Sequence, residues 1–304
     1  MANMELPSSD NTSVFDILQA RLGLTPIEPV FVQRQETSRW GRQMILALRR
    51  HWPEYLMEAT ELGLFMISAC AFTVLLNHPA SPVAQSITTE PFRNLLMGIA
   101  MGATAIAIIF SPLGKRSGAH FNPAVTLTFL RLGKVEPWDA AFYTLSQFIG
   151  GIAGVLLAYL FFGAMLADPS VNFAATLPGP TGPWVAFVAE LTITFILMSV
   201  ILTVSNSSLN RWTGLFAGLL VTTYISLESP ISGMSMNPAR TLGSAAIGNI
   251  WTSLWIYFTA PPIGMLLAAE AHKHLKKNHT VACAKLHHLN NKRCIFRCNF
   301  KANP

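Results

Sequence analysis

Few residues in this chain could act on a small molecule, and the clearest come as a pair. Asn122 lies in Ser117–Leu127, "SGAHFNPAVTL", and Asn237 lies in Ser232–Leu242, "SGMSMNPARTL". Each asparagine is followed by proline and alanine: Pro123 and Ala124 in one stretch, Pro238 and Ala239 in the other. Asparagine is a favoured N-cap, and proline suits the first helical position because it has no N–H to leave unsatisfied. Each box therefore predicts a short helix, over Ala124–Leu130 and Ala239–Ile247, with an amide at its head that can donate N–H to a polar solute. Arg240 adds a positive charge directly after the second box, where the first has Val125.

Other reactive groups are sparse. Glu58, Glu61 and Glu190 stand in otherwise apolar surroundings, and intramembrane acids are functional candidates by default. No nucleophile or metal cluster occurs in the apolar segments, so neither a catalytic residue nor a cofactor is expected. Cys70 lies in the first apolar run. Cys283, Cys294 and Cys298 lie near the C-terminus, where with His287 and His288 they could bind a metal. Their spacing matches no regular zinc pattern, so the expectation is no metal and a tail without fixed structure.

The elements that must position these residues follow from composition. Of 304 residues, 51% are hydrophobic and only 12% charged, against about 25% charged in soluble domains. Apolar runs of about 20 residues are membrane spans. Six are predicted: Glu54–Asn77, Phe92–Pro112, Trp138–Met165, Pro183–Ser205, Trp212–Leu227 and Trp251–Glu270. A soluble helical core would need polar helix faces, and these have almost none. Ahead of the spans, residues 1–52 form a polar arm with no apolar leader segment. In its last part, Trp40, Met44, Ile45, Leu48 and Trp52 share one helical face, and Arg42, Arg49 and Arg50 lie off it. That pattern suits either a helix on an anionic membrane surface or a charged flank that orients the first span. Basic residues cluster before span one, between spans two and three, between spans four and five, and after span six. The positive-inside rule then puts both termini in the cytoplasm. The net charge of +6 reads as this orientation signal, and no nucleic-acid partner is expected.

The two boxed stretches are copies of each other. Seven of eleven positions agree, pairing Ser117/Ser232, Gly118/Gly233, Asn122/Asn237, Pro123/Pro238, Ala124/Ala239, Thr126/Thr241 and Leu127/Leu242. The preceding spans each carry a G-x-x-x-G pair, Gly98/Gly102 and Gly214/Gly218, most simply read as helix-packing sites. Each half opens with an acid-bearing span, at Glu58 and at Glu190. Three spans per copy is an odd number, so the copies are inverted about an axis in the membrane plane. One box dips from each side and both reach the midplane. Re-entrant backbone there must be buried or line a water-filled cavity, and two helix N-termini would oppose a cation or proton. An ion-coupled transporter shares inverted repeats and broken helices and is the alternative, but it would usually need an ionisable coupling site, for which only the three glutamates are available.

With these residues assembled, the chain from about Pro53 to Glu270 resembles the aquaporin / major intrinsic protein family. "SGAHFNPAVTL", "NPARTLGSA", "FVAELTITF" around Glu190 and "FTAPPIGMLLA" in the last span carry the likeness. The resemblance implies an all-α bundle of six transmembrane helices and two re-entrant half-helices, with a channel domain over 53–271 between the arm and a basic tail, 272–304. It implies a passive pore for water or small uncharged solutes such as glycerol, urea or hydrogen peroxide. It also implies a homotetramer, multi-pass in the cell membrane, most like prokaryotic members. Asn122 and Asn237 would be the central donors and Arg240 the filter arginine. Glu58 and Glu190 would hold the loops by accepting backbone N–H groups, with Glu61 as an alternative to Glu58. His120 would brace its loop, a gating role being the minor reading. The other filter positions fall on Ile225, Met234 and Met101, with Met97 as the alternative to Met101. Water-selective members carry histidine where this chain has Ile225, and glycerol facilitators typically carry an acid where it has Thr241. The filter matches neither pattern.

Overall fold

A backbone surrounded by hydrocarbon must satisfy its own polar groups, and the apolar runs do so as helices. The computed structural model describes residues 31–275 and 281–300; the first part of the predicted arm, 1–30, lies outside them. Two units are distinguished, 1–46 and 47–304. In the first, the described residues are helical from Phe31.

The long helices are α1 (Phe31–Asn77), α2 (Glu90–Phe110), α4 (Pro137–Phe162), α5 (Pro183–Ser205), α6 (Thr213–Ser232) and α8 (Leu254–Leu275), and the short α3 (Pro123–Arg131) and α7 (Pro238–Gly248) follow the asparagines. Among the described residues, six helices are long and apolar enough to cross a membrane, as the sequence implied. No strand occurs among the described residues.

Several ends differ from expectation, each for a local reason. The stretch read as a surface helix or a flank belongs to α1, which continues through Pro53. Helix α6 runs past Leu227, where Glu228 and Pro230 end the apolar pattern but not the backbone ladder; Gly233, at φ 77°, ends it. Helix α4 stops at Gly163, at φ 55°. After α2, Ser111 caps a further turn, Pro112–Ser117. The half-helices begin at the prolines themselves and run one residue beyond their predicted ends.

Packing follows the duplication. Helix α2 crosses α6 where Gly102 meets Gly218: a Cβ on Gly102 would stand 2.6 Å from the Gly218 carbonyl oxygen, and one on Gly218 would stand 2.8 Å from that of Gly102. Only glycine permits that approach. In the first half, Gly150 and Gly154 of α4 press on Ala59 and Gly63 of α1; in the second, Gly264 of α8 presses on Leu191 and Thr194 of α5. Helix α3 packs on α4 and α8, while α7 packs on α8 and α4. The half-helices thus sit between the two repeats and meet each other.

The tail departs most from expectation. Residues 281–300 have neither helix nor strand, yet Val281, Cys283, Ala284, Lys285 and Leu286 are buried. Leu286 N–H donates to Gly118 O at 3.1 Å, Arg297 N–H to Lys134 O at 3.0 Å, and Ala282 N–H to Asn206 Oδ1 at 2.7 Å. Arg297 forks onto Glu136 at 2.6 and 2.9 Å. Lys285 Nζ donates to the carbonyls of Lys115 and Arg293, at 2.8 and 2.7 Å, and burial lowers its pKa. These partners all lie on one end of the bundle, called here the tail face.

Candidate functional site

The two asparagines form a reciprocal clasp. Asn122 caps α3, its Oδ1 accepting from Ala124 N–H at 2.9 Å; Asn237 caps α7, accepting from Ala239 and Arg240 N–H at 3.0 and 3.2 Å. Asn122 Nδ2 donates to Met236 O at 2.8 Å, and Asn237 Nδ2 donates to Phe121 O at 2.7 Å. Each acceptor is the residue just before the other asparagine. An amide nitrogen carries two protons, so each asparagine, after binding the opposite loop, keeps one N–H to offer.

Each loop is held open by a buried carboxylate. Glu58 accepts from His120 N–H at 2.9 Å and Phe121 N–H at 2.6 Å, one on each oxygen. Glu190 does the same with Ser235 and Met236 N–H, at 2.6 and 2.7 Å. In both repeats these donors are the two residues before the asparagine. Glu61 is not that partner; it accepts from Ser117 Oγ at 2.7 Å. The geometry is strained, and symmetrically so: Ala119 and Phe121 have φ of 57° and 29°, Met234 and Met236 of 47° and 54°. Left-handed turns next to extended ones aim successive N–H groups to one side, and the carboxylate fills that concavity.

Sequence reasoning missed a second layer of support. Ser117 and Ser232 accept from Ala119 and Met234 N–H at 3.0 and 3.1 Å, and Tyr143 and Tyr257 donate their hydroxyls to the carbonyls of those serines. The signal was present: both serines are conserved between the copies, and the tyrosines follow them by 26 and 25 residues. Gln147, donating to Glu58 at 2.7 Å, left no such trace. His120 braces its loop, Nδ1 lying 3.1 Å from Thr126 Oγ1, but its Nε2 also lies 2.9 Å from Ala284 O in the tail.

Two cavities flank the clasp. The larger, about 310 Å³, opens away from the tail face and is lined by Met101, Ile225, Met234 and Arg240, with Met97 on the same wall. All four expected filter residues are thus brought together. Arg240 lines this cavity, is buried, and its Nη1 has no hydrogen-bond partner. The smaller, about 70 Å³, lies on the tail side and is lined by both asparagines, Val125, His120 and Leu286 of the tail. Phe65, Val221 and Met236 border both cavities. The arrangement provides a path past two amide donors with apolar walls on either side.

Comparison with known proteins agrees with this geometry. A family profile described as Major intrinsic protein matches residues 47–272. Aquaporin NIP2-3 of Zea mays is 35% identical over 231 residues, which cover 74% of this chain and 73% of that protein. Aquaporin NIP1-2 of Arabidopsis thaliana is 37% identical over 181 residues, 57% of this chain and 61% of that one. The X-ray structure of the aquaglyceroporin from Plasmodium falciparum has the same fold, with a TM-score of 0.60 at 21% identity, covering 73% of this chain and 95% of that chain. The expected special likeness to prokaryotic members is not supported, since the relatives found are plant proteins of NIP type.

Proposed function

The chain belongs to the major intrinsic protein family, and from that membership we infer that it is a passive transmembrane channel for water or small uncharged solutes. One observation carries the reading: two opposed helix caps present spare amide donors between two cavities, and the buried Arg240 lines one of them. A solute passing the clasp exchanges water's hydrogen bonds for these donors, one side of its path being polar and the rest apolar. A cation meets the positive ends of two half-helices and then Arg240.

Asn122-Pro123-Ala124 and Asn237-Pro238-Ala239 are assigned as the central constriction, and Met101, Ile225, Met234 and Arg240 as the selectivity filter. Glu58, Glu190 and His120 support the loops. The channel domain spans about 53–271. The subunits assemble as a homotetramer, each with its own pore, in the cell membrane with both termini cytoplasmic. The tail face is then the cytoplasmic face. Three apolar or adaptable filter walls favour admission of at least one carbon- or oxygen-rich solute besides water. Stopped-flow swelling of proteoliposomes tests the class. A channel gives swelling above the lipid background, with a low activation energy and no dependence on an ion gradient. Flux that requires a sodium or proton gradient would instead establish the coupled-transporter alternative.

A further inference from the structure

The tail holds a constellation that the pore does not use. Cys283 Sγ lies 3.5 Å from Cys294 Sγ, Cys298 Sγ lies 2.9 Å from His288 Nε2, and one ligand atom from each of these four residues lies within 4.8 Å of all the others. Three of the chain's four cysteines converge on this point. In a tetrahedral zinc site with Zn–S near 2.3 Å, sulfurs stand about 3.8 Å apart, which is the scale of this cluster. The interval Cys294-x-x-x-Cys298 also falls within the range usual for a chelating pair; Cys283 and His288 join it from upstream, which is why no regular pattern is visible in the sequence.

Two further observations point to an ion. Residues 281–300 bury several side chains without forming a helix or strand. The segment has contacts with the bundle but no core of its own, and irregular segments of this kind are commonly stapled by disulfides or by a metal. All the cysteines are free thiols, and on the cytoplasmic face thiols stay reduced, which leaves the metal. Three thiolates and an imidazole form a set that selects zinc over hard cations.

We propose that Cys283, His288, Cys294 and Cys298 bind a Zn²⁺ ion, and that the ion fastens the tail as a lid over the mouth of the pore on the tail face. The lid rests on the channel reading, and the ion site rests only on the cytoplasmic placement of the tail proposed with it. Ligands at Cys283 and His288 bracket the strip from Ala284 to His287. That strip touches the pore: Leu286 lines the inner cavity, its N–H donates to Gly118 O, and Ala284 O lies 2.9 Å from the ring of His120. Phe296, between the other two ligands, stacks on His120 with ring centroids 5.3 Å apart. The ion thus closes a loop whose two arms both grip the first re-entrant segment. Loss of the ion frees Leu286 to leave the cavity.

The full chain, purified in reducing buffer without chelator, is expected to carry about one Zn²⁺ per chain by elemental analysis. Replacement by Co²⁺ should give thiolate charge-transfer and tetrahedral ligand-field bands. Cys294→Ser and Cys298→Ser should lose the ion, whereas Cys70→Ser should keep it. In proteoliposomes, stripping the wild-type protein with a membrane-permeant zinc chelator should raise flux severalfold, and added Zn²⁺ should reverse the rise. The chelation arm needs no variant, so it stands even if a serine variant fails to fold. A chain that carries no zinc and gives no Co²⁺ bands, or that retains a Cys283–Cys294 disulfide in reducing buffer, would overturn the site. Bound zinc with flux unchanged on stripping would overturn the lid. A zinc-loaded chain that passes no solute in either state would tell against the channel reading and the lid together, since the metal measurement does not depend on transport.

Discussion

At the scale of single residues, each asparagine side chain does two jobs, Oδ1 capping a helix and one N–H holding the opposite loop, and its second N–H is the donor proposed for a passing solute. Asn237→Asp removes both donors and sets a carboxylate against the Phe121 carbonyl. A lost hydrogen bond that leaves its partner buried costs about 1–3 kcal/mol, so flux is expected to fall about tenfold or more, read as swelling rate at matched protein density. Parental flux in this variant and in Asn122→Asp would remove the central-donor role. Ile225 lends itself to a finer test. It presents no polar atom to a passing solute, and transferring a polar group without a partner costs about 1–3 kcal/mol on mutational scales. Ile225→His restores a polar wall in the outer cavity and should shift the ratio of water to glycerol flux toward water. Paired swelling and radiolabelled uptake measure that ratio; an unchanged ratio would mean that Ile225 does not face the rate-limiting passage. The asparagines were legible in the sequence because the duplication marked them, whereas Ile225 was reached only through the family resemblance. The tyrosines left only a weak trace, their similar spacing from the repeated serines, and Gln147 left none, because it has no counterpart in the second copy.

At the scale of elements, each re-entrant loop is a strained strip that persists because a buried carboxylate over-determines it. The strip N–H groups occupy both oxygens of Glu190, one each. Glu190→Gln keeps the shape and offers only one acceptor oxygen, so either Ser235 or Met236 N–H faces an amide donor. The expected result is a loss of about 1–3 kcal/mol, seen as earlier thermal unfolding in detergent, together with reduced flux. Unfolding and flux like those of the parent would show that the loop does not depend on this carboxylate. The six long helices were legible because hydrocarbon leaves little choice of backbone. Their ends were less so: Pro230 in the last turn of α6 and the capped turn after Ser111 are decided by backbone geometry that apolar periodicity does not record. The tail was misread for a related reason. Its order comes from contacts with Gly118, His120, Lys134 and Asn206, none of them near it in sequence, and its composition is that of a solvated basic segment.

At the scale of the whole molecule, one duplication sets both symmetry and its breaking. Clasp, carboxylate, serine and tyrosine recur in each half, so the centre of the path is nearly two-fold. The ends are not: Arg240 lies in one cavity, where the first repeat has Val125, and Leu286 of the tail lies in the other. An even number of spans returns the chain to the side it started from, and the basic residues decide which side that is. Lys115 and Arg116, Arg131 and Lys134, Arg211 and Arg297 all fall on the tail face, whereas Leu76–Pro91 and Leu166–Pro183 on the opposite face contain no lysine or arginine. Positive loops are retained on the cytoplasmic side, so the arginine-bearing cavity should open outward and the Leu286-bearing cavity inward. The prediction is checked with epitope tags at each terminus in sealed vesicles of known orientation. Both tags should resist protease in right-side-out vesicles and be removed in inverted ones. A tag cleaved from the outside in intact right-side-out vesicles would reverse the assignment, placing the tail thiols in an oxidising compartment where a disulfide, not a metal, would be their stable fate.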